Sequence, residues 1–293
     1  LSFYEIEFPL AHFNSEIVEV ALQQLGALSI TFTDRGDNPV LEPQVGEVRL
    51  WRDTLVRALF DQCSNPTHAL AALSAELGPA ITASAQLRRV QDKIWEREWL
   101  NDWKSLRFGK RLWICPWSAA APDDPNAIVI RLDPGLAFGT GTHPTTALCL
   151  EALESLRLSG QSVIDYGCGS GILAVAALKL DATHATAVDI DPQALLATRD
   201  NAERNGVSAN LKTQSVTLPL GPADCVVANI LAQPLIELAS LLTGACRAAG
   251  TLILSGILED QCASVVAAYQ PGFVFAKVIK RDDWCCLQAR RIR

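Results

Sequence analysis

Apolar and acidic residues alternate at the start of the chain, Phe3-Tyr4-Glu5-Ile6-Glu7-Phe8, which predicts an opening strand. Asn14 or Ser15 then caps a helix over residues 16–25, and Gly26 stops it. β-Branched or apolar runs at 28–33 and 54–60, bounded by turn residues, predict two further strands, with an extra candidate at 47–51. Asn65-Pro66 reads as a cap followed by a proline in the first helical turn, opening a helix that closes near Gly78. Alternation over 81–90 predicts a last strand. The order β-α-β-β-α-β is the ferredoxin-like split arrangement, so residues 1–90 read as a small α+β domain.

Residues 91–110 differ in kind. Trp95, Trp99 and Trp103 recur at i, i+4 and i+8, one face of a helix that reads as a linker docking its aromatic stripe on a neighbouring domain. Across 111–293, strands at 162–165, 185–189, 223–229, 251–255, 273–279 and 284–289 alternate with helices at 171–180, 192–205, 233–242 and 259–269. Buried strands without polar alternation, such as Val226-Val227 and Leu252-Ile253-Leu254, joined by helices predict a doubly wound, mostly parallel α/β sheet. Only residues 280–283 join the last two strands, too few for a crossover helix, so these two should pair as an antiparallel hairpin.

Composition narrows the class. With 49% apolar and 19% charged residues among 293, the chain has room for a sizeable core and is neither disordered nor a small disulfide scaffold. No apolar run is long enough to span a membrane, and the first nine residues lack the basic stretch of a signal peptide. Nine scattered cysteines without a Cys-x-x-Cys pair fit reduced thiols in a cytoplasmic protein. The net charge of −7 disfavours non-specific binding to a phosphate backbone. Most of that acidity lies in residues 1–90, where six Arg face eleven Asp plus Glu.

The strongest local chemistry is Val163-Ile164-Asp165-Tyr166-Gly167-Cys168-Gly169-Ser170-Gly171, a strand running through a glycine turn into a helix. Glycines let a backbone approach a ligand closely. The spacing is Gly-x-Gly-x-Gly, with Ile172 where a dinucleotide fingerprint has its third glycine. Asp165, two residues ahead of Gly167, suits a cationic ligand better than a pyrophosphate, and no Gly-Lys-Ser/Thr follows to make a Walker loop. Asp189 ends the next strand and can accept both hydroxyls of an unphosphorylated ribose. Asp191-Pro192 reads as the cap of the helix that follows. Asn229 ends the strand after that, at the carboxyl edge where such sheets bind ligands.

Together, the glycine turn with Asp165, the ribose acid Asp189 and the strand-end Asn229 resemble a class I S-adenosylmethionine-dependent methyltransferase. The string Phe138-Gly139-Thr140-Gly141-Thr142-His143-Pro144-Thr145-Thr146, with Asn229-Ile230-Leu231-Ala232, is similar more narrowly to the bacterial family that methylates large-subunit ribosomal protein L11. The resemblance covers almost the whole chain. It implies an α/β, doubly wound, Rossmann-like seven-stranded sheet over 111–293 and a smaller N-terminal ferredoxin-like domain that recognises the substrate. It implies that Thr146, Gly167, Asp189 and Asn229 bind S-adenosylmethionine beside Asp165 and Gly169. Phe138, Thr140, Gly141 and Thr142 would form a loop over it. The implied substrates are lysine side chains and an N-terminal amine, methylated up to three times.

The acceptor in such a transfer must be an uncharged amine. Neutralising a lysine of pKa about 10.4 at pH 7 costs ~4–5 kcal/mol, against about 1 kcal/mol for an α-amine. A neighbouring cation offsets part of that cost. A neutral acceptor such as Asn229 orients the remaining N–H bonds without stabilising the ammonium, as a carboxylate would. His143 is the rival candidate for a catalytic base, against a role in shaping the entrance. Cys168 reads as a small filler, Cys285-Cys286 as strand core, and His12, His68 and His184 as surface or helix-end residues. No metal-ligand spacing is present. A nicotinamide oxidoreductase, a non-catalytic ribosome-binding factor and an RNA methyltransferase stay open as alternatives. The missing third glycine and Asp165 count against the first, the second predicts cofactor binding without methyl transfer to purified ribosomal protein, and the acidic front domain disfavours the third.

Overall fold

The structure, a computed structural model, describes residues 2–36, 50–61, 66–91, 104–133 and 143–293. It forms two compact units, Leu1–Trp95 and Glu96–Arg293. In the first, β1 (Ser2–Pro9), α1 (Ser15–Gln24), β2 (Ser29–Asp34), β3 (Thr54–Asp61), α2 (Pro66–Leu77), α3 (Ala80–Ser84) and β4 (Gln86–Gln91) follow in order. All strand pairs are antiparallel and the sheet order is β2-β3-β1-β4, the ferredoxin-like arrangement. The Asn14 side chain caps α1, accepting the N–H of Glu16 at 2.8 Å and of Ile17 at 3.3 Å. Alternation sends Ile6, Phe8, Val56 and Phe60 to one face, where they bury Val18, Leu22 and Leu73. It sends Glu7 to the other face, where Arg57 holds it at 2.8 Å.

Two expectations change here. Residues 81–90 are not one strand: α3 takes the first part and β4 begins at Gln86. Alanines at 80, 83 and 85 favour the helical turn over the alternation. Leu50 and Trp51 are not in a strand, and 47–49 lie outside the described residues. So do 92–103 with all three tryptophans of the expected linker helix. The end of that segment, Leu106–Phe108, is strand rather than helix.

The second unit is a three-layer α/β sandwich. Its strands are β8 (Ser162–Tyr166), β9 (His184–Asp189), β10 (Leu211–Ser215), β11 (Ala223–Asn229), β12 (Cys246–Leu258), β13 (Phe273–Arg281) and β14 (Trp284–Arg291). They run in the order β10-β9-β8-β11-β12-β14-β13. The first five are parallel, and β14 is antiparallel to both neighbours, so the last two strands form the expected hairpin. β10 has one buried residue, Gln214, and no run of large apolar ones; that polarity hid it in the sequence and suits an edge strand.

Helices α4 (Pro144–Glu154), α5 (Ile172–Lys179) and α6 (Pro192–Arg204) cover one face. On the other lie α7 (Ala232–Glu237), α8 (Ala239–Ala245) and α9 (Cys262–Tyr269). The predicted helix at 233–242 is thus two helices meeting at Leu238. Successive residues of β11 feed opposite layers: Val227 packs with α4 and α5, Val226 with α7 and α8. From Ile172 to Leu178, α5 is buried all round, as its unbroken apolar sequence demands. A small third sheet, not anticipated, joins β5 (Leu106–Phe108), β6 (Leu112–Cys115) and β7 (Ile128–Arg131), and its Leu112, Ile114 and Ile130 enter the α4–α5 core. No helix of the described residues is long and apolar enough to cross a membrane. The eight cysteines among them are all free thiols.

Candidate active site

The order of connection reverses between the parallel neighbours β8 and β11, and their carboxyl ends open the crevice where doubly wound sheets bind ligands. β8 delivers Asp165 and then the glycine turn to that rim. Gly167, Gly169 and Gly171 all have positive φ, +76°, +52° and +76°. At Gly167 the requirement is twofold, because a Cβ there would also collide with the Ile230 side chain. The N–H groups of Gly167 and Cys168 both donate to the Val188 carbonyl, at 2.8 and 3.0 Å, tying the turn to β9.

At the end of β9, Asp189 accepts the Gly169 N–H at 2.9 Å on one oxygen and the Asp191 N–H at 3.0 Å on the other. These bonds aim the carboxylate along the rim and leave lone pairs for a vicinal diol. Asp191 caps α6 through the Gln193 N–H at 2.8 Å, with Pro192 in the first turn, as its sequence predicts.

Asn229 ends β11. Its amide Nδ2 donates to Thr146 Oγ1, 3.3 Å away on α4, which leaves Oδ1 as its acceptor end. His143 is the N-cap of α4: its Nδ1 accepts the Thr145 N–H at 3.3 Å and lies 2.7 Å from Thr145 Oγ1. Burial holds its pKa below the ordinary imidazole value, which favours the neutral ring, and accepting the Thr145 N–H places the lone pair on Nδ1. Its ring packs edge-on against Trp284, centroids 4.9 Å apart. With Nδ1 engaged, only Nε2 remains for another partner.

Asp165 is fully buried. One oxygen accepts the Ala174 N–H in the first turn of α5 at 2.9 Å, and the other, Oδ1, has no partner among the described residues. Burial pushes its pKa up to about 7; the Ala174 bond opposes that, and the charge of Asp189 adds to it. An unpaired buried carboxylate is costly unless a cation meets it. Cys168 is buried at the turn, its Sγ 3.3 Å from Thr198 Oγ1, and burial raises its thiol far above the ordinary value. That environment makes it inert. Phe138, Thr140, Gly141 and Thr142 lie outside the described residues.

Sequence reasoning passed over Gly256. It forms a bulge in β12, between Ser255 and Ile257, at φ +83°, and a Cβ there would run into the Ile230 carbonyl. Ile230 is thereby clasped between Gly167 and Gly256, which sets the backbone directly after Asn229. A glycine inside the run from Thr251 to Leu258 was the available signal. Gly256→Ala should cost about 3 kcal/mol or more by combining left-handed strain with a backbone clash. Urea unfolding with an unchanged slope and a lower midpoint would register that loss; an unaltered midpoint would contradict it.

The donor set fits a nucleoside with free ribose hydroxyls and a cationic tail. Asp189 stands for the diol, the orphaned Asp165 oxygen for a positive charge, and no lysine or arginine of the turn awaits a phosphate. A polar pair, Asn229 and Thr146, completes the rim.

Comparison with known proteins agrees with this chemistry. The family model described as ribosomal protein L11 methyltransferase (PrmA) matches residues 2–292. Ribosomal protein L11 methyltransferases of Escherichia coli O1:K1 / APEC and of Shigella boydii serotype 18 are each 51% identical over 285 residues, 95% of this chain and 95% of theirs. Among solved structures, the ribosomal protein L11 methylase of Lactobacillus delbrueckii subsp. bulgaricus superposes with a TM-score of 0.60 at 33% identity. That alignment covers 65% of this chain and all of the other. With a nearly full-length family match and half the residues shared with those relatives, this chain belongs to the ribosomal protein L11 methyltransferase family.

Proposed function

We propose that this chain methylates lysine side chains and the N-terminal α-amine of ribosomal protein L11 by direct in-line transfer to a neutral amine, up to trimethylation, and that it does so in the cytoplasm. When bound, S-adenosylmethionine supplies a methyl group activated by a sulfonium centre. The observation that carries the reading is the convergence of Gly167, Gly169, Asp189, Thr146 and Asn229 on one rim of the sheet, beside an Asp165 oxygen that lacks a partner among the described residues.

Each residue has a task its position supports. Asp189 holds the ribose, and the Gly167–Gly169 turn gives the ligand close access to backbone. Asp165 sets a negative charge under the cationic end. Thr146 fixes the Asn229 amide so that Oδ1 accepts an N–H of the incoming amine, which aligns its lone pair. Residues 138 and 140–142 complete the enclosure in this reading, and His143 shapes its entrance by capping α4. No strong base is needed, since the amine arrives neutral and orientation does much of the work. The N-terminal unit, acidic by five charges over residues 1–90, suits a basic ribosomal protein and disfavours a nucleic-acid target.

Intact-mass spectrometry of purified ribosomal protein L11, incubated with this chain and labelled S-adenosylmethionine, tests the assignment. The expected record is mass gain in steps of one methyl. Asp189→Ala should weaken S-adenosylhomocysteine binding by about 10- to 100-fold through loss of a charge-assisted pair of hydrogen bonds. Label confined to ribosomal RNA, or unchanged binding by Asp189→Ala, would refute the reading.

A further inference from the structure

Helix α6 and its C-cap residue present Thr198, Asn201 and Asn205 at i, i+3 and i+7, a single face. Each of these side chains ends on the backbone of another element. Thr198, fully buried, donates from Oγ1 to the Gly169 carbonyl at 3.1 Å. Asn201 Nδ2 donates to the Ser170 carbonyl at 2.8 Å. Asn205 accepts the Arg131 N–H at 2.8 Å and donates back to the Arg131 carbonyl at 2.8 Å, which fixes the register of α6 against β7. The first two donors therefore reach consecutive carbonyls of the glycine turn from a helix already pinned at its far end.

We propose that Thr198 and Asn201 are positioning residues for the cofactor site, acting through the glycine turn without touching the ligand. Glycine at 167, 169 and 171 makes left-handed backbone cheap, but it makes other conformations cheap as well. The turn's own bond, Gly171 N–H to the Cys168 carbonyl at 2.7 Å, engages the carbonyl just before those of Gly169 and Ser170. A trans peptide carries its C=O and N–H on opposite edges. Anchoring the Gly169 and Ser170 carbonyls to α6 therefore orients both peptide planes and keeps carbonyl oxygens off the ligand side. Thr198 also fills the space beside Gly171, its Cγ2 lying 2.6 Å from where a Cβ would stand, so the helix and the turn are in close register. This inference rests on the glycine turn being the cofactor site.

Thr198→Val keeps the shape and the methyl contact while removing the donor, and Asn201→Leu does the same for the amide. Each should weaken S-adenosylhomocysteine binding in calorimetry by roughly tenfold and raise the KM for S-adenosylmethionine to match. The KM for ribosomal protein L11, and kcat at saturating cofactor, should stay within about twofold. Thr198→Ser, which restores a hydroxyl, should recover affinity to within about threefold. Should leucine at 201 prevent folding, Asn201→Ser reads the same loss. If the folded variants melt lower yet bind the cofactor as tightly as the parent, the two residues only pack the helix and the proposal is overturned. If the parent chain itself binds no cofactor, or Asp189→Ala binds it unchanged, the reading of the site is what fails.

Discussion

Asn229→Ala should slow methyl transfer to ribosomal protein L11 by about 10²- to 10³-fold while leaving the fold intact, the usual loss when a preorganised polar group is removed from the reacting centre. The residue is held three ways. Its backbone pairs with Ser255 in β12 register, the next residue's N–H donates to the Ser255 carbonyl at 3.2 Å, and its amide donates to Thr146. Deleting the carboxamide therefore removes the group proposed to accept the amine's N–H, from a frame that stays standing. Asn229→Asp is the sharper variant. It is nearly isosteric, but its carboxylate stabilises the ammonium form of the acceptor, so the pH–rate profile should move to higher pH as well as fall. Single-turnover mass spectrometry from pH 7 to 10 measures both effects. If Asn229→Ala retained half the parent rate, the amide would have no part in the reaction.

The second large effect concerns Asp165 and separates stability from binding. Its folded pKa, about 7, lies above the ordinary value of 3.8 because the carboxyl is buried. A raised folded pKa means the unfolded chain releases its proton first. Relative stability is therefore complete below about pH 4 and is lost as pH rises through 7. Asp165→Asn cannot ionise, so its stability relative to the parent should climb by roughly 2–3 kcal/mol between pH 5 and pH 8. Over the same range it should lose cofactor affinity by about 100-fold, since a neutral amide does not attract a cation. Melting curves at pH 5, 6, 7 and 8, with and without S-adenosylmethionine, read both. A stability difference that stays flat with pH would mean the carboxyl is not the titrating group. On the proposed role of Asp165, the parent carries a buried carboxyl whose ionisation weakens the fold and is offset only by a paired cation, a trade-off common at functional sites.

Much of the scaffold was legible because it depends on local pattern. The Asn14 and Asp191 caps, the α5 run and the terminal hairpin follow from neighbours in sequence. Errors arose where local signals were weak or tied. Residues 81–90 alternate yet are alanine-rich, β10 shows one polar face to solvent, and β5 to β7 are too short to announce themselves. Asp165, Asp189 and Asn229 stood out because unusual residues sat at the ends of apolar strands. Gly256, Thr198 and Asn201 did not, because nothing local says what they approach.

By itself, the sequence determined the kinds of elements, the glycine turn with its acids, and, through the Phe138–Thr146 string, the family. Only tertiary structure decided that Asn229 meets Thr146 across 83 residues of sequence, that Asp165 keeps an oxygen unpaired among the described residues, and that one face of α6 holds the turn. The reason is physical. Periodicity and capping are set by bonds within a few residues, whereas strand order and register, which bring distant side chains to one rim, come from packing the whole sheet between its two helical layers.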